Sequence, residues 1–236
     1  RTEEGELLWP ERFGPAEVAG LKKDLGSLGW AGQGQQRPAP AEGNLVKDNW
    51  WRFYNELPEG IQKWISTWDL SFDATDNSSY VVGQVWALKY ADRYLVHQFR
   101  ERVKFTGQLK AVVDLRNRFP QARKILVEKK ANGAALLDVL KSHIDGLTPI
   151  EPRGDKKARA EAVTPQIESG NVYLPNPELN PWVKDYLYEW KVFPNGSNDD
   201  QVDATSQFLS HARSKSVDFN AISITGASKW LGGQGG

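Results

Sequence analysis

Between Trp64 and Asp73 the side chains alternate. Trp64, Ser66, Trp68, Leu70 and Phe72 fall on one face, and Ile65, Thr67, Asp69, Ser71 and Asp73 on the other. That period of two is the signature of a half-buried β-strand. The turn-like DATDNSS leads into YVVGQVWALKY, a second strand, and ADR makes a tight turn into YLVHQFRERVKF, a third. Together they predict an antiparallel meander. Beyond it the period lengthens. TGQLKAVVDLRNRFP has helical spacing and stops before Pro120; KILVE reads as a short buried strand, NGAALLDVLKSHI as a helix, and LTPIEP as a strand. GDKKARAEAVTPQIESG predicts a helix ending near Gly170, NVYLP a short strand, NPWVKDYLYEWKVF a helix, and DDQVDATSQFLSHARS a last helix capped by Asn198 or Asp199. Three antiparallel strands followed by helix–strand alternation predict an α/β fold, a mixed central sheet flanked by helices.

The flanks have a different grammar. Pro10, Pro15, Pro38, Pro40 and Pro58 punctuate residues 1–60, and GWAGQGQQRPAPAEG is too rich in Gly and Pro for a core element. This stretch reads as a connecting arm with one short helix after Pro15. Residues 61–215 carry the sheet, and 216–236, ending LGGQGG, read as a loosely ordered tail. Starting at Arg1 without methionine, the chain reads as a piece of a longer polypeptide. The pairs Trp50–Trp51 and Trp64/Trp68 are expected to pack the arm on the sheet rather than to stack on bases.

Composition narrows the chemistry. The 236 residues include no cysteine, which excludes disulfides, thiolate zinc sites, iron–sulfur clusters and a cysteine nucleophile. Three scattered histidines, His97, His143 and His211, supply no local three-histidine zinc centre. A metal here must sit mainly on carboxylates. No stretch approaches the roughly 20 apolar residues of a membrane span, and RTEEGE lacks a signal-peptide core, so a cytosolic, membrane-free protein is expected. The 30 basic and 30 acidic residues cancel, but phosphates feel the local field rather than the sum.

Acids at three places invite comparison: Asp69 within the first strand, Glu128 closing KILVE, and Asp199, Asp200 and Asp203 opening the last helix. Carboxylates in apolar sequence demand a compensating partner. Mg²⁺ or Mn²⁺ is one, because hard ions take oxygen ligands and a pair of them can hold both the attacking and the leaving oxygen of a phosphodiester. Each acid also has a plainer alternative: a hydrogen-bonded strand-end acid for Asp69, a salt bridge for Glu128, an N-cap for Asp199. Three acids in DDQVD exceed what a cap needs, and Asp199 and Asp203 share a helix face with Asp200 turned about 100° away. Lys129 and Lys130 follow Glu128, Arg153, Lys156, Lys157 and Arg159 follow LTPIEP, and Arg100, Arg102 and Lys104 alternate along the third strand. For each basic residue, phosphate contact and a solvated charged face are both open. Neither G-x-x-x-x-G-K-[ST] nor G-x-S-x-G occurs.

The blocks STWDLSFDATDNSSYVVGQVW, ILVEKKANGAALLDVL, GDKKARAEAVTPQIESGNVYLP and FPNGSNDDQVDATSQF resemble, in order and spacing, the C-terminal nuclease domain of the large terminase subunit of tailed bacteriophages. GWAGQGQQRPAPAEGNLVKDNWW is similar to the family's segment joining ATPase to nuclease, and the resemblance runs from about Leu8 to Arg213. It implies a ribonuclease H-like fold and a metal-dependent endonuclease that cuts concatemeric double-stranded DNA with little sequence specificity at the start and end of genome packaging. By position it implies catalytic acids at Asp69, Glu128 and Asp199 binding two Mg²⁺ or Mn²⁺ ions, with Asp200 beside them and Asp203 and Asp73 nearby. The basic block makes Lys156 and Arg159 candidate DNA contacts, alongside Lys129, Lys130 and Arg153. Where the family pattern has His, this chain has Asn198, and where it has Asp, Lys129. The implied partners are the ATPase domain of the same polypeptide, the small terminase subunit and the portal of the procapsid, in the host cytoplasm at the portal vertex. Two other readings stay open: a junction resolvase or transposase of the same fold, and a non-catalytic docking module.

Overall fold

The computed structural model describes residues 14–30, 45–70, 80–129 and 134–214. Its centre is a seven-stranded sheet in the order β1-β7-β4-β3-β2-β5-β6. The strands are β1 (Arg52–Tyr54), β2 (Lys63–Asp69), β3 (Val81–Lys89), β4 (Asp92–Glu101), β5 (Lys124–Glu128), β6 (Leu147–Ile150) and β7 (Val172–Pro175). The helices are α1 (Pro15–Gly29), α2 (Phe105–Arg118), α3 (Ala134–His143), α4 (Lys156–Glu168), α5 (Trp182–Val192) and α6 (Asp200–Ser214).

The expected meander is present: β2 and β3 pair antiparallel, as do β3 and β4, while β5 adds parallel to β2 and β6 parallel to β5. Strand alternation divides the apolar side chains between two cores. Ile65, Trp86 and Leu126 face α4, α5 and α6; Trp68, Val85, Ile125 and Val127 face α2 and α3. The tightest approach on the second face is at Gly83, opposite Trp68 in register. A Cβ there would stand 2.5 Å from the indole, so only glycine lets the ring lie flat across β3.

One strand was not anticipated. Within the stretch expected to be a connecting arm, Arg52–Tyr54 forms β1, the sheet's edge, paired parallel to β7. Just ahead of it Leu45, Val46 and Trp51 are buried in the α4–α6 core. Trp51 meets Tyr186 and Trp190 edge-on at 5.8 and 5.7 Å, so it packs on α5. Helix α1 docks on α4, the Ser27 amide donating to Glu168 Oε2 at 2.8 Å. No helix among the described residues is long and apolar enough to cross a membrane.

Candidate functional site

Two acids end adjacent strands. Trp68 pairs with Val127 in the parallel β2–β5 register, so Asp69 and Glu128 follow as neighbours one residue on. Alternation puts both on the face of Ile65 and Leu126, the face covered by α6. They are 3% and 7% exposed. The Glu128 carboxylate makes no hydrogen bond or ion pair among the described residues, so the salt bridge open to it in the sequence is not formed there.

A polar seam fixes α6 over this pair. Thr67 Oγ1 donates to the Ala204 carbonyl at 3.4 Å and accepts from Gln207 Nε2 at 2.7 Å. Gln98 Nε2 donates to Gln201 Oε1 at 2.6 Å, and Gln84 Nε2 donates to Thr205 Oγ1 at 3.1 Å. These groups are buried, so each bond sets helix register against the sheet: a slip would strand its partner. Asp200, Ala204 and Gln207 recur at i, i+4 and i+7, which places Asp200, 5% exposed, on the stripe that faces β2.

The other acids of DDQVD turn toward α4. Lys156 Nζ lies 2.6 Å from Asp199 Oδ1 and 3.0 Å from Asp203 Oδ2, the second contact being an ion pair without hydrogen-bond alignment. Arg159 Nη2 donates to Asp203 Oδ1 at 2.9 Å. Burial pulls the Lys156 ammonium down, but the hydrogen bond to Asp199 and the charges of Asp203 and Asp199 outweigh it and hold its pKa above the ordinary lysine value. Lys156 and Arg159 therefore neutralise helix acids in this structure. Asp199 and Asp203 share a face, as the spacing predicted, but Asp200 rather than Asp199 is the acid turned to the sheet.

Asp199 holds the N-cap position of α6, its carbonyl accepting from the Asp203 amide at 2.9 Å, but its carboxylate turns to Lys156 and does not accept from the first-turn amides. Glu189 on α5 supplies that acceptor: its Oε1 accepts from the amides of Gln201 and Val202 at 2.6 and 3.1 Å, and its Oε2 accepts from Gln201 Nε2 at 2.6 Å. Arg100 Nη2 completes the set at 3.4 Å. Sequence reasoning passed over Glu189. The signal was there: it lies three residues after Tyr186 on the buried stripe of α5, where an acid must have partners.

Of the remaining candidates, Lys129 is exposed and paired to Glu151 at 2.9 Å, and Arg153 is exposed at the end of β6. Asp73 and Lys130 lie outside the described residues. Among the described residues, no three Asp, Glu or His side chains are grouped so as to hold a metal ion. The strand-end pair is nonetheless suited to a hard divalent cation. Its donors are all carboxylate oxygens, and Glu128 is a nearly enclosed charge with no protein partner among the described residues.

The terminase RNaseH-like domain model matches residues 66–212, from β2 to the end of α6. Among solved structures, the large terminase of thermophilic bacteriophage D6E in complex with ADP aligns with a TM-score of 0.63 at 12% identity, over 83% of this chain and 51% of that one. The large terminase nuclease of thermophilic phage G20c with bound magnesium aligns at 0.52 and 16% identity, over 72% of this chain and 98% of that one. The same G20c nuclease was also solved with bound cobalt, at 0.51 and 16% identity, over 72% and 98%. The chain thus spans about half of the D6E protein and nearly all of the G20c domain, and its mixed sheet has the RNase H-like fold. No curated protein sequence matches it.

Proposed function

Because the chain belongs to the terminase RNaseH-like domain family, we propose that it is the metal-dependent endonuclease of a genome-packaging motor, cutting concatemeric double-stranded viral DNA with little sequence preference. The observation that carries this is the Asp69–Glu128 pair at the ends of parallel strands, beneath the acidic start of α6.

Asp69, Glu128 and Asp200 are the groups that would hold divalent cations, with Asp199 a ligand only if it leaves Lys156. Two Mg²⁺ or Mn²⁺ ions there would supply an activated water and charge stabilisation at the leaving 3′ oxygen. The chain's own part is to hold its carboxylates oriented. The Thr67–Gln207 and Gln84–Thr205 bonds fix the helix register, and Glu189 fixes the helix start. Lys156 and Arg159 relieve the repulsion that Asp199 and Asp203 would otherwise impose beside Asp200. Exposed Lys129, if it leaves Glu151, and Arg153 would meet phosphates, and phosphate contacts carry no base information.

In this reading the arm leads to the ATPase domain of the same polypeptide, and the small terminase subunit and portal are the further partners, at the portal vertex in the host cytoplasm. Supercoiled-plasmid nicking tests the activity. The parent protein should nick with Mg²⁺ or Mn²⁺ and stop with EDTA, whereas Asp69→Ala should fold and not nick; nicking by that variant at the parent rate would refute the assignment.

A further inference from the structure

We propose that Arg100 and Arg102, gathered on the ring of Tyr80, form an arm that binds the phosphate backbone of duplex DNA on the β4 side of the strand-end acids. The inference rests on the nuclease reading above and adds substrate contacts on the flank opposite Lys129 and Arg153.

The sheet register supplies the placement. Asp69 pairs with Val82, and Val82 pairs with Arg100, so the acid and the arginine stand in one cross-strand row. Two strand spacings put their backbones about 10 Å apart. They share a face as well, since Gln98, two residues before Arg100, bonds to Gln201 on α6.

The arm is already assembled. The Arg100 guanidinium carbon lies 3.8 Å from the Tyr80 ring centroid and that of Arg102 lies 4.6 Å away. Two cations on one ring repel each other, and attraction to the ring face offsets part of that. An anion between them would remove the remaining repulsion. Glu189 partly serves Arg100 at 3.4 Å, but Arg100 Nε is buried without a hydrogen-bond partner. Arg102 is exposed and makes no ion pair among the described residues. A cleft of about 430 Å³ adjoins Arg100, lined in part by His97 and Arg118 and by the acids Glu101 and Asp185.

A solvated strand end would leave such side chains free to swing. Here the ring restricts them beforehand, so less rotamer entropy is lost when a ligand arrives. Guanidinium also matches phosphate oxygens in a two-pronged geometry that lysine lacks. From β4 to β6 is four strand spacings, about 19 Å. Basic groups therefore flank the acids on both sides, and a duplex would lie across the strand ends.

Fluorescence anisotropy with a short labelled duplex in EDTA, so that no cutting intrudes, tests this across a salt series. Arg102→Gln should weaken binding about 5–10-fold and reduce the slope of log K against log salt by about 0.9, the loss of one phosphate contact. Tyr80→Leu should weaken it about threefold through lost restriction of both arginines. Both variants should keep the parent's thermal midpoint, because Arg102 is exposed, and Arg100 is left intact because Glu189 depends on it. If the parent binds duplex and Arg102→Gln matches it in affinity and slope, the arm is wrong while the nuclease reading stands. If the parent neither binds duplex at low salt nor nicks plasmid, that reading fails and the arm falls with it.

Discussion

Glu189 Oε1 accepts from the backbone amide of Gln201 at 2.6 Å, so a carboxylate on α5 caps the helix that carries the acids. A capping charge at a helix N-terminus is favoured by the dipole, and supplying it from another element leaves the Asp199 carboxylate to pair with Lys156. Glu189 is itself 4% exposed and satisfied by Gln201, Val202 and Arg100.

Glu189→Ala should therefore destabilise the domain by about 3–5 kcal/mol, since it strands Arg100 and uncaps α6 together. Glu189→Gln keeps one acceptor oxygen and should lose less than half of that. Urea denaturation of the three proteins decides the order; equal midpoints would show that the cap is unimportant.

Arg159 and Asp203 should behave as one unit. With side chains 17% and 1% exposed at 2.9 Å, removing either leaves a charge short of its partner. Arg159→Met should cost about 2–3 kcal/mol, and adding Asp203→Leu should recover part of it. A double-mutant cycle is expected to give a coupling of about 1–3 kcal/mol, and strict additivity would contradict the pairing.

At Gly83, a methyl group would press into the Trp68 indole at 2.5 Å. Gly83→Ala should cost about 2 kcal/mol by overpacking. Because Trp68 immediately precedes Asp69, Mn²⁺ affinity measured by calorimetry should fall as well. Trp68→Leu in the Gly83→Ala background should add less destabilisation than Trp68→Leu alone.

Burial, and then the nearby Arg118 charge, hold the His97 imidazole down at about 4. The unfolded chain takes up that proton near pH 6.5, so the contribution to stability is complete above pH 6.5 and is lost as pH falls toward 4. The ring is partly open to water, and with screening allowed for the loss should be about 1–2 kcal/mol. His97→Gln should flatten the stability curve between about pH 6.5 and 4. A variant that loses as much stability over that range as the parent would rule His97 out as the source.

The strands β2 to β5 announce themselves because β-branched and aromatic residues fill two helix-covered faces, Ile65 on one and Trp68 on the other, so β2 is buried on both sides rather than half-buried. The acids were legible for the same reason: Asp69 and Glu128 interrupt apolar runs where charge is expensive. β1 was not legible, because three residues behind a Pro-rich stretch acquire strand character only from β7, more than a hundred residues away. Spacing separated Asp200 from Asp199 and Asp203 by rotation but left open which side faced the sheet. The answer came from the Thr67–Gln207 bond and the Lys156 ion pair, both contacts between distant segments.

Where a divalent ion binds is the most direct test of the catalytic assignment. A crystal grown with MnCl₂ and measured for anomalous scattering should show manganese about 2.0–2.2 Å from carboxylate oxygens of Asp69, Glu128 and Asp200. Manganese bound elsewhere, touching none of those three in a protein that cuts DNA with Mn²⁺, would contradict it.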